Sequence, residues 1–321
     1  MRRSDFWRVF RWGIPVLGAA GAVLFLFWRR ETAPRNFPPA ASAARYVRVM
    51  TANINNIEPN AGKHSWSRRR GVLLAILHKY RPGIIAMQAA TPAQTAWLAV
   101  RLRGYAHFPA HAALHGNILS ALAGALAFWN QIFFQNRFQL VAGAYGLVRP
   151  RHLQRNPTEN AYYSLAVLRD RRRVLPTVIV IDTHLRHGNE NAALCAAKLQ
   201  VILRHWWKRY LDARAILLGD MNHPRNDAPV YSALLGRRYL HGCRGPLFDT
   251  FNYRRRPRGR LWGTWQNYVG RPVVRWPTDL IFVSRGWKFT PARIIRDHSP
   301  SGVYPSDHFF VLTTLRPAPV P

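Results

Sequence analysis

Hydrophobic and polar positions along the chain sort into two very different parts. From Trp12 to Trp28 there is no charged residue, and Arg29 and Arg30 follow directly. As a helix this run spans roughly 26 Å, slightly short of a hydrocarbon core of about 30 Å. Its terminal tryptophans suit membrane-interface anchors. The pattern predicts a transmembrane signal anchor over 12–28, behind a basic segment over 1–11. Ala41-Ser42-Ala43 has the small-x-small form of a cleavage site, but it lies well past the apolar run, so retention is favoured. Arg2, Arg3, Arg8 and Arg11 against Arg29, Arg30 and Arg35 tilt the balance slightly to a cytoplasmic N-terminus, with the following domain on the extracytoplasmic side. Residues 29–44, with Pro34, Pro38 and Pro39, read as a linker.

From residue 45 onward short apolar runs alternate with helical spacing. Tyr46–Asn53 predicts a first strand, Ser67–Tyr80 a helix, Ile84–Met87 a short buried strand and Thr91–Leu102 a second helix. The apolar run that ends at Phe134 has no clear period. Tyr163–Arg169 and Thr177–Asp182 read as paired strands around the turn Asp170-Arg171-Arg172-Arg173, and the second leads into Thr183-His184-Leu185. Asn191–Tyr210 is a long amphipathic helix. Ala215-Ile-Leu-Leu-Gly-Asp-Met-Asn-His-Pro224 reads as a buried strand that ends at a glycine turn. Residues 251–277 look like loop, Asp279–Ser284 like a strand, and Phe309–Leu315 like the last strand. Helices and strands alternate in part, with antiparallel pairs among them. One α+β domain over 45–321 follows.

The 321 residues carry a net charge of +33, with 47 Lys plus Arg against 14 Asp plus Glu. Only five of the basic residues are lysine. Such a field favours polyanions: nucleic acid, anionic lipid, phosphorylated substrates. A drift of composition toward arginine produces the same count. Because carboxylates are scarce, each one at a strand end carries more weight. Cys195 and Cys243 give no metal-ligand spacing, and Cys195 reads as packed helix; a disulfide between them depends on export.

The candidate chemistry sits at strand tips. Residues two apart on extended backbone share a face, so Asp220 and Asn222 are expected to aim together at one small target. A carboxylate holds a metal or a proton, and a carboxamide donates to a phosphoryl oxygen. Taken alone, Gly-Asp-x-Asn is common turn chemistry.

Asn53, Thr183-His184-Leu185, Gly219-Asp220-Met221-Asn222, Asp279-Leu-Ile-Phe-Val-Ser284 and Ser306-Asp307-His308 occur in an order that resembles the endonuclease/exonuclease/phosphatase superfamily, the DNase-I-like fold. Gly116-Asn-Ile-Leu-Ser120 and Asp249-Thr250 resemble its secondary signatures. The resemblance covers nearly everything after residue 45. It implies a four-layer αββα sandwich of two mainly antiparallel sheets, with the site at one edge of both. It also implies divalent-metal-dependent hydrolysis of a phosphoester.

Under that resemblance the catalytic set is His184, Asp220, Asn222, Asp279 and His308. His308 is the general base or the phosphate-contacting imidazole, oriented by Asp279. Asp220 orients or deprotonates water, Asn222 holds the phosphoryl group, and His184 protonates the leaving oxygen. Asn222, His184 and His308 touch the substrate phosphate. Asn53 and Asp307 are the metal residues, with Mg²⁺ or Mn²⁺ expected from hard oxygen ligands.

One departure stands out. The family's usual Gln-Glu after the second strand is here Gln88-Ala89, so its principal metal ligand is missing. Glu58 is a candidate substitute. The expected activity is that of a membrane-anchored phosphodiesterase acting on nucleic acid or a phospholipid headgroup. The alternative is a degenerate relative that binds DNA or anionic lipid without turnover. Arg254, Arg255, Arg256, Arg258 and Arg260, close to Trp262, Trp265 and Tyr268, mix basic and aromatic groups as polyanion contacts do, and Arg68–Arg70 and Arg171–Arg173 add to them; solvated loops of an arginine-rich chain read equally so.

Overall fold

A computed structural model describes residues 45–56, 62–109, 129–148, 161–187, 191–236, 245–253 and 261–318. All of them belong to one compact unit, Phe37–Pro321. The anchor and linker expected over 1–44, Glu58, the segment 116–120, Cys243 and Arg254–Arg260 lie outside the described residues. Among the described residues no helix is long and apolar enough to cross a membrane.

Thirteen strands and four helices are described, in the order β1 (Val47–Asn53), α1 (Trp66–Tyr80), β2 (Ile84–Ala90), α2 (Pro92–Arg101), β3 (Tyr105–Phe108), β4 (Trp129–Gln135), β5 (Phe138–Val148), β6 (Ala161–Asp170), β7 (Val178–His184), α3 (Ala192–Arg209), β8 (Arg214–Asp220), α4 (Ala228–Leu235), β9 (Phe248–Asp249), β10 (Asp279–Val283), β11 (Trp287–Phe289), β12 (Arg293–Ile295) and β13 (Phe310–Pro317). One sheet runs β11-β13-β1-β2-β4-β3, with β12 also on β13. The other runs β5-β6-β7-β8-β10-β9. Both sheets are mixed: β1 and β2 pair in parallel, as do β7 and β8, and the remaining pairs are antiparallel. The expected two-sheet α+β sandwich is therefore present, with a parallel pair at the centre of each sheet.

Side-chain alternation sets the layers. On β1, Val47 and Val49 join the core between the sheets, whereas Met50 and Ala52 face outward. The outward set packs on Leu73, Ile76 and Leu77 of α1 and on Trp97 and Leu98 of α2. On the far side, Cys195, Leu199 and Leu203 of α3 and Val230 and Leu234 of α4 join the core of the second sheet. α2 starts from a full capping box, in which Thr91 Oγ1 accepts from Gln94 N and Gln94 Oε1 accepts from Thr91 N.

Several elements differ from the sequence reading. The apolar run before Phe134 includes β4, and the strand predicted at Ile84–Met87 extends to Ala90 through an irregularity after Met87. β3, β5, β11 and β12 are edge or near-edge strands with half-exposed faces, so their alternation is weak. α4 is a short helix after Pro224, capped by Asp227, whose side chain accepts from Val230 N.

Candidate active site

Three strand ends of the second sheet carry polar residues on one rung. His184 of β7 stands opposite Asp220 of β8, and Asp220 stands opposite Asp279 of β10. Residues directly opposite share a face, so all three side chains point into the gap between the sheets. Gly219 makes this register feasible. It adopts φ +144, and a Cβ there would lie 1.8 Å from Thr183 O.

The first sheet closes the same end. Asn53, last on β1, donates from Nδ2 to Asp220 Oδ2 at 2.9 Å. His308, just before β13, places Nδ1 2.9 Å from Asp279 Oδ2 and Nε2 3.7 Å from Asp220 Oδ2. His184 Nε2 is 3.4 Å from the same Asp220 oxygen. Asp220, Asp279 and His308 offer one ligand atom each within 4.8 Å of one another. His184 remains partly open, at 31% side-chain exposure, while Asp220 and Asp279 are at 1%. The cluster thus has a buried acidic floor and one accessible imidazole.

Charge within the cluster is mutually tuned. Burial pushes Asp220 up, but the rings of His308 and His184, then Asn53 and the Asn222 N–H, outweigh it and hold the carboxyl below its ordinary value. Burial also pushes Asp279 up, and there it prevails, with the charge of Asp220 adding to it and His308 opposing it. Burial alone would lower His308; the Asp279 and Asp220 carboxylates reverse this and raise it to about 10. The resting cluster is an imidazolium held between two carboxyl groups.

The sequence motifs that meet here match the family model described as Endonuclease/Exonuclease/phosphatase family, over residues 50–308. The chain belongs to the endonuclease/exonuclease/phosphatase family. No curated protein sequence matches it. Among solved structures it is similar to the mannosyl-6-phosphatase of Bacteroides thetaiotaomicron VPI-5482, with 17% identity over 84% of this chain and 99% of that one and a TM-score of 0.67. It is also similar to D. rerio TDP2 complexed with single strand DNA product, at 17% identity, 84% and 99% coverage and a TM-score of 0.61. The human Nocturnin catalytic domain with bound sulfate anion gives 19% identity, 85% and 95% coverage and a TM-score of 0.61. At these identities the likeness establishes the shared fold.

Of the family residues expected from sequence, Asn53, His184, Asp220, Asp279 and His308 meet in one cluster. Asn222 reaches it differently from the extended-strand expectation. It turns left-handed, at φ +50, so it does not repeat the direction of Asp220. Its backbone N donates to Asp220 Oδ1 at 3.0 Å, and its Nδ2 donates to Leu185 O at 2.8 Å. The carboxamide ties the exits of β7 and β8 together and keeps one N–H of its amide for another acceptor. Asp307 stands outside the three-ligand cluster, half-buried, with one carboxylate oxygen accepting from Ser306 Oγ at 3.0 Å.

Ala89 stands where the resemblance leads a metal-ligating Glu to be expected. It is buried and left-handed, at φ +53, in the irregular end of β2. Its neighbour Gln88 points inward beneath the site. Gln88 Oε1 accepts from Thr51 Oγ1 at 3.1 Å, and Gln88 Nε2 donates to Asp182 Oδ1 at 2.6 Å. Asp182 is a site-floor residue that the sequence reading passed over. It lies two positions before His184, so a strict period of two would have placed it on the same face. Asp182 is fully buried, its second carboxylate oxygen has no partner among the described residues, and burial pushes its carboxyl well above the ordinary value.

Arg69 corrects an expectation: read from sequence as one of the basic polyanion contacts, it turns inward instead. It is fully buried and donates to four backbone carbonyls: His64 O, Ile54 O, Asn55 O and Pro305 O. It therefore joins the loop after Asn53 to the loop before Asp307 and His308. Its guanidinium also lies 5.8 Å from the Tyr268 ring centre, and Asn55 Nδ2 donates to the Tyr268 hydroxyl at 3.2 Å.

Proposed function

We propose that the domain hydrolyses a phosphodiester by attack of an activated water, with nucleic acid or a phospholipid headgroup as the substrate class. The observation that carries this reading is the convergence of His184, Asn53 and His308 on Asp220 Oδ2, with Asp279 behind His308. Asp220, kept ionised, orients the water and takes its proton as oxygen attacks phosphorus. The His308 imidazolium, held by Asp279, donates to a phosphoryl oxygen where charge develops. The P–O bond to the leaving group breaks, and His184, the accessible ring, gives that oxygen its proton. Asn222 keeps one amide N–H for the phosphoryl group.

The residues present fit a loosely held cation. Asp307 has a carboxylate oxygen without a hydrogen bond among the described residues, and Asn53, whose Nδ2 is on Asp220, offers a carboxamide oxygen that accepts from Asn55 N and keeps a second lone pair. Ala89 withholds the third oxygen. Mg²⁺ is commonly bound through one or two carboxylates with water filling its shell, so such a site is weak rather than absent. Asn53 and Asp307 would hold Mg²⁺ or Mn²⁺, with Glu58 as a further ligand, and the ion supplies charge neutralisation at the phosphoryl oxygens. The uncharged run Trp12–Trp28 supports membrane anchoring, with the domain on the extracytoplasmic side.

A second reading rests on Ala89: a relative that binds a polyanion without turning it over. Turnover of bis(p-nitrophenyl) phosphate by the full chain with Mn²⁺ or Mg²⁺ separates the two. Activity that disappears in His308→Ala and with chelator supports the hydrolase. A parent protein that is inactive under all these conditions, yet binds DNA or anionic vesicles, selects the second reading.

A further inference from the structure

We propose that Arg225 forms a second anion subsite beside the catalytic cluster, for a further phosphate on the same substrate. The inference rests on the phosphodiester reading above and specifies which phosphodiesters the site prefers.

Arg225 lies three residues past Asn222, at most about 11 Å along the chain. The loop between them is fixed to the His184 side of the site. Asn222 Nδ2 donates to Leu185 O, and His223 places Nε2 3.2 Å from Arg186 O. Arg225 is exposed, and its guanidinium lies 4.3 Å from the Tyr253 ring centre. Among the described residues it makes no hydrogen bond or ion pair. A stacked guanidinium keeps its N–H edges free for a planar acceptor, and stacking lowers the entropy lost on binding.

The surroundings maintain that state. Two carboxylates lie near Arg225, and both are already engaged. Asp227 Oδ2 faces His223 Nδ1 at 2.7 Å and caps α4. Asp249 Oδ2 accepts from the hydroxyls of Tyr231 at 2.7 Å and Tyr253 at 2.8 Å, and its Oδ1 accepts from Phe251 N at 2.9 Å. Asp249 thereby fixes the ring on which Arg225 stacks; burial pushes its own carboxyl above the ordinary value, and the nearby Arg225 charge opposes that rise. Trp262 and Trp276 hold the Tyr253 ring from other sides, at 5.8 Å and 5.9 Å. A cation on a braced platform, with its neighbouring carboxylates occupied, is built to meet an anion from outside. Phosphate suits the fork of a guanidinium bidentately.

The test is equilibrium binding to the full chain in chelator. Adenosine 3′,5′-bisphosphate is compared with adenosine 5′-monophosphate, and glycerophosphoinositol 4-phosphate with glycerophosphoinositol. The wild type is expected to favour the member with the extra phosphate in one pair by about tenfold, the scale of a charge-assisted bidentate contact; that pair names the source. In Arg225→Gln the preference falls to near equality, and Arg225→Lys, which keeps charge but loses the planar stack, lies between. No preference in either pair, or a preference that survives Arg225→Gln, overturns the subsite. A preserved preference in a protein without turnover sinks the hydrolase reading and leaves the subsite standing.

Discussion

His308 Nδ1 lies 2.9 Å from Asp279 Oδ2, while its other nitrogen faces Asp220 Oδ2 at 3.7 Å. One ring thus bridges two buried carboxyl groups from neighbouring strands. Its pKa is raised from 6.5 to about 10. A raised folded-state value means stabilisation that is complete below pH 6.5 and lost as pH rises through about 10. The difference in melting temperature between wild type and His308→Gln should therefore be largest near pH 6.5 and shrink steadily toward pH 10. A difference that stays flat from neutral pH to pH 10 would show that the ring is neutral in the folded protein.

The same pair sets the kinetic expectation. Asp279→Asn keeps the shape but removes the charge that orients and protonates His308. Turnover of the model diester should drop about 10²- to 10⁴-fold, the usual worth of a positioned acid–base group. His308→Ala should drop as far, and the double variant little further, because the two residues act as a unit. Additive losses in the double variant would separate their roles.

Much of this site was readable because it lies on strands with continuous apolar runs. β1, β7, β8, β10 and β13 are buried on both faces, so their tips at Asn53, His184, Asp220, Asp279 and the residue before Phe309 could be placed. Half-exposed strands such as β5 lack that contrast. Asn222 was misplaced for a different reason. The extended period of two ends at Asp220, and a left-handed residue turns the next carboxamide back onto Leu185. The inward turn of Arg69 was hidden because its partners are backbone carbonyls far away in sequence, which leave no residue pattern. Asp182 was legible by period and was overlooked as one more strand position.

Ala89 offers a gain-of-function test. Position 89 lies at the inner end of β2 beside Gln88, and a glutamate there restores a third oxygen ligand. Ala89→Glu should bind Mn²⁺ at least about tenfold more tightly, since each added carboxylate raises affinity for a hard cation. Titration of free Mn²⁺ by its electron spin resonance signal reads this without any turnover assay. Unchanged Mn²⁺ affinity would mean that a side chain at 89 does not reach the Asn53 and Asp307 oxygens.

Asp182 should be a stability liability at neutral pH. Its carboxyl is pushed well above the ordinary value by burial, so the folded chain keeps a proton that the unfolded chain loses. Stability then falls as pH rises above about 4, the unfolded value. Asp182→Asn preserves an acceptor for Gln88 Nε2 and removes the ionisation. Its melting temperature should exceed that of the wild type at pH near 7, with a gain that vanishes near pH 4, where both forms are neutral. In a domain of this size each kcal/mol recovered corresponds to roughly 2–4 °C. A variant less stable at both pH values would show that the carboxyl proton holds a contact that asparagine cannot replace.

Arg69 carries the last expectation. Its guanidinium satisfies carbonyls of His64, Ile54, Asn55 and Pro305 from inside the fold. Those carbonyls belong to the segments that flank Asn53 on one side and Asp307 and His308 on the other. Arg69→Met fills similar volume but leaves the carbonyls without their donor, at a cost on the order of 3–5 kcal/mol for a broken buried charged network. Arg69→Lys keeps the charge but supplies a single donor atom, and it should recover only part of the loss. Function should report the loops separately from stability. At temperatures where both variants remain folded, kcat should fall more than KM rises, because the change moves the two halves of the catalytic cluster apart and leaves Arg225 and the rim of the site in place. Equal stability in Arg69→Met and wild type would assign the burial of this cation to packing alone, and an unchanged kcat in a folded variant would show that the two loops hold their positions without it.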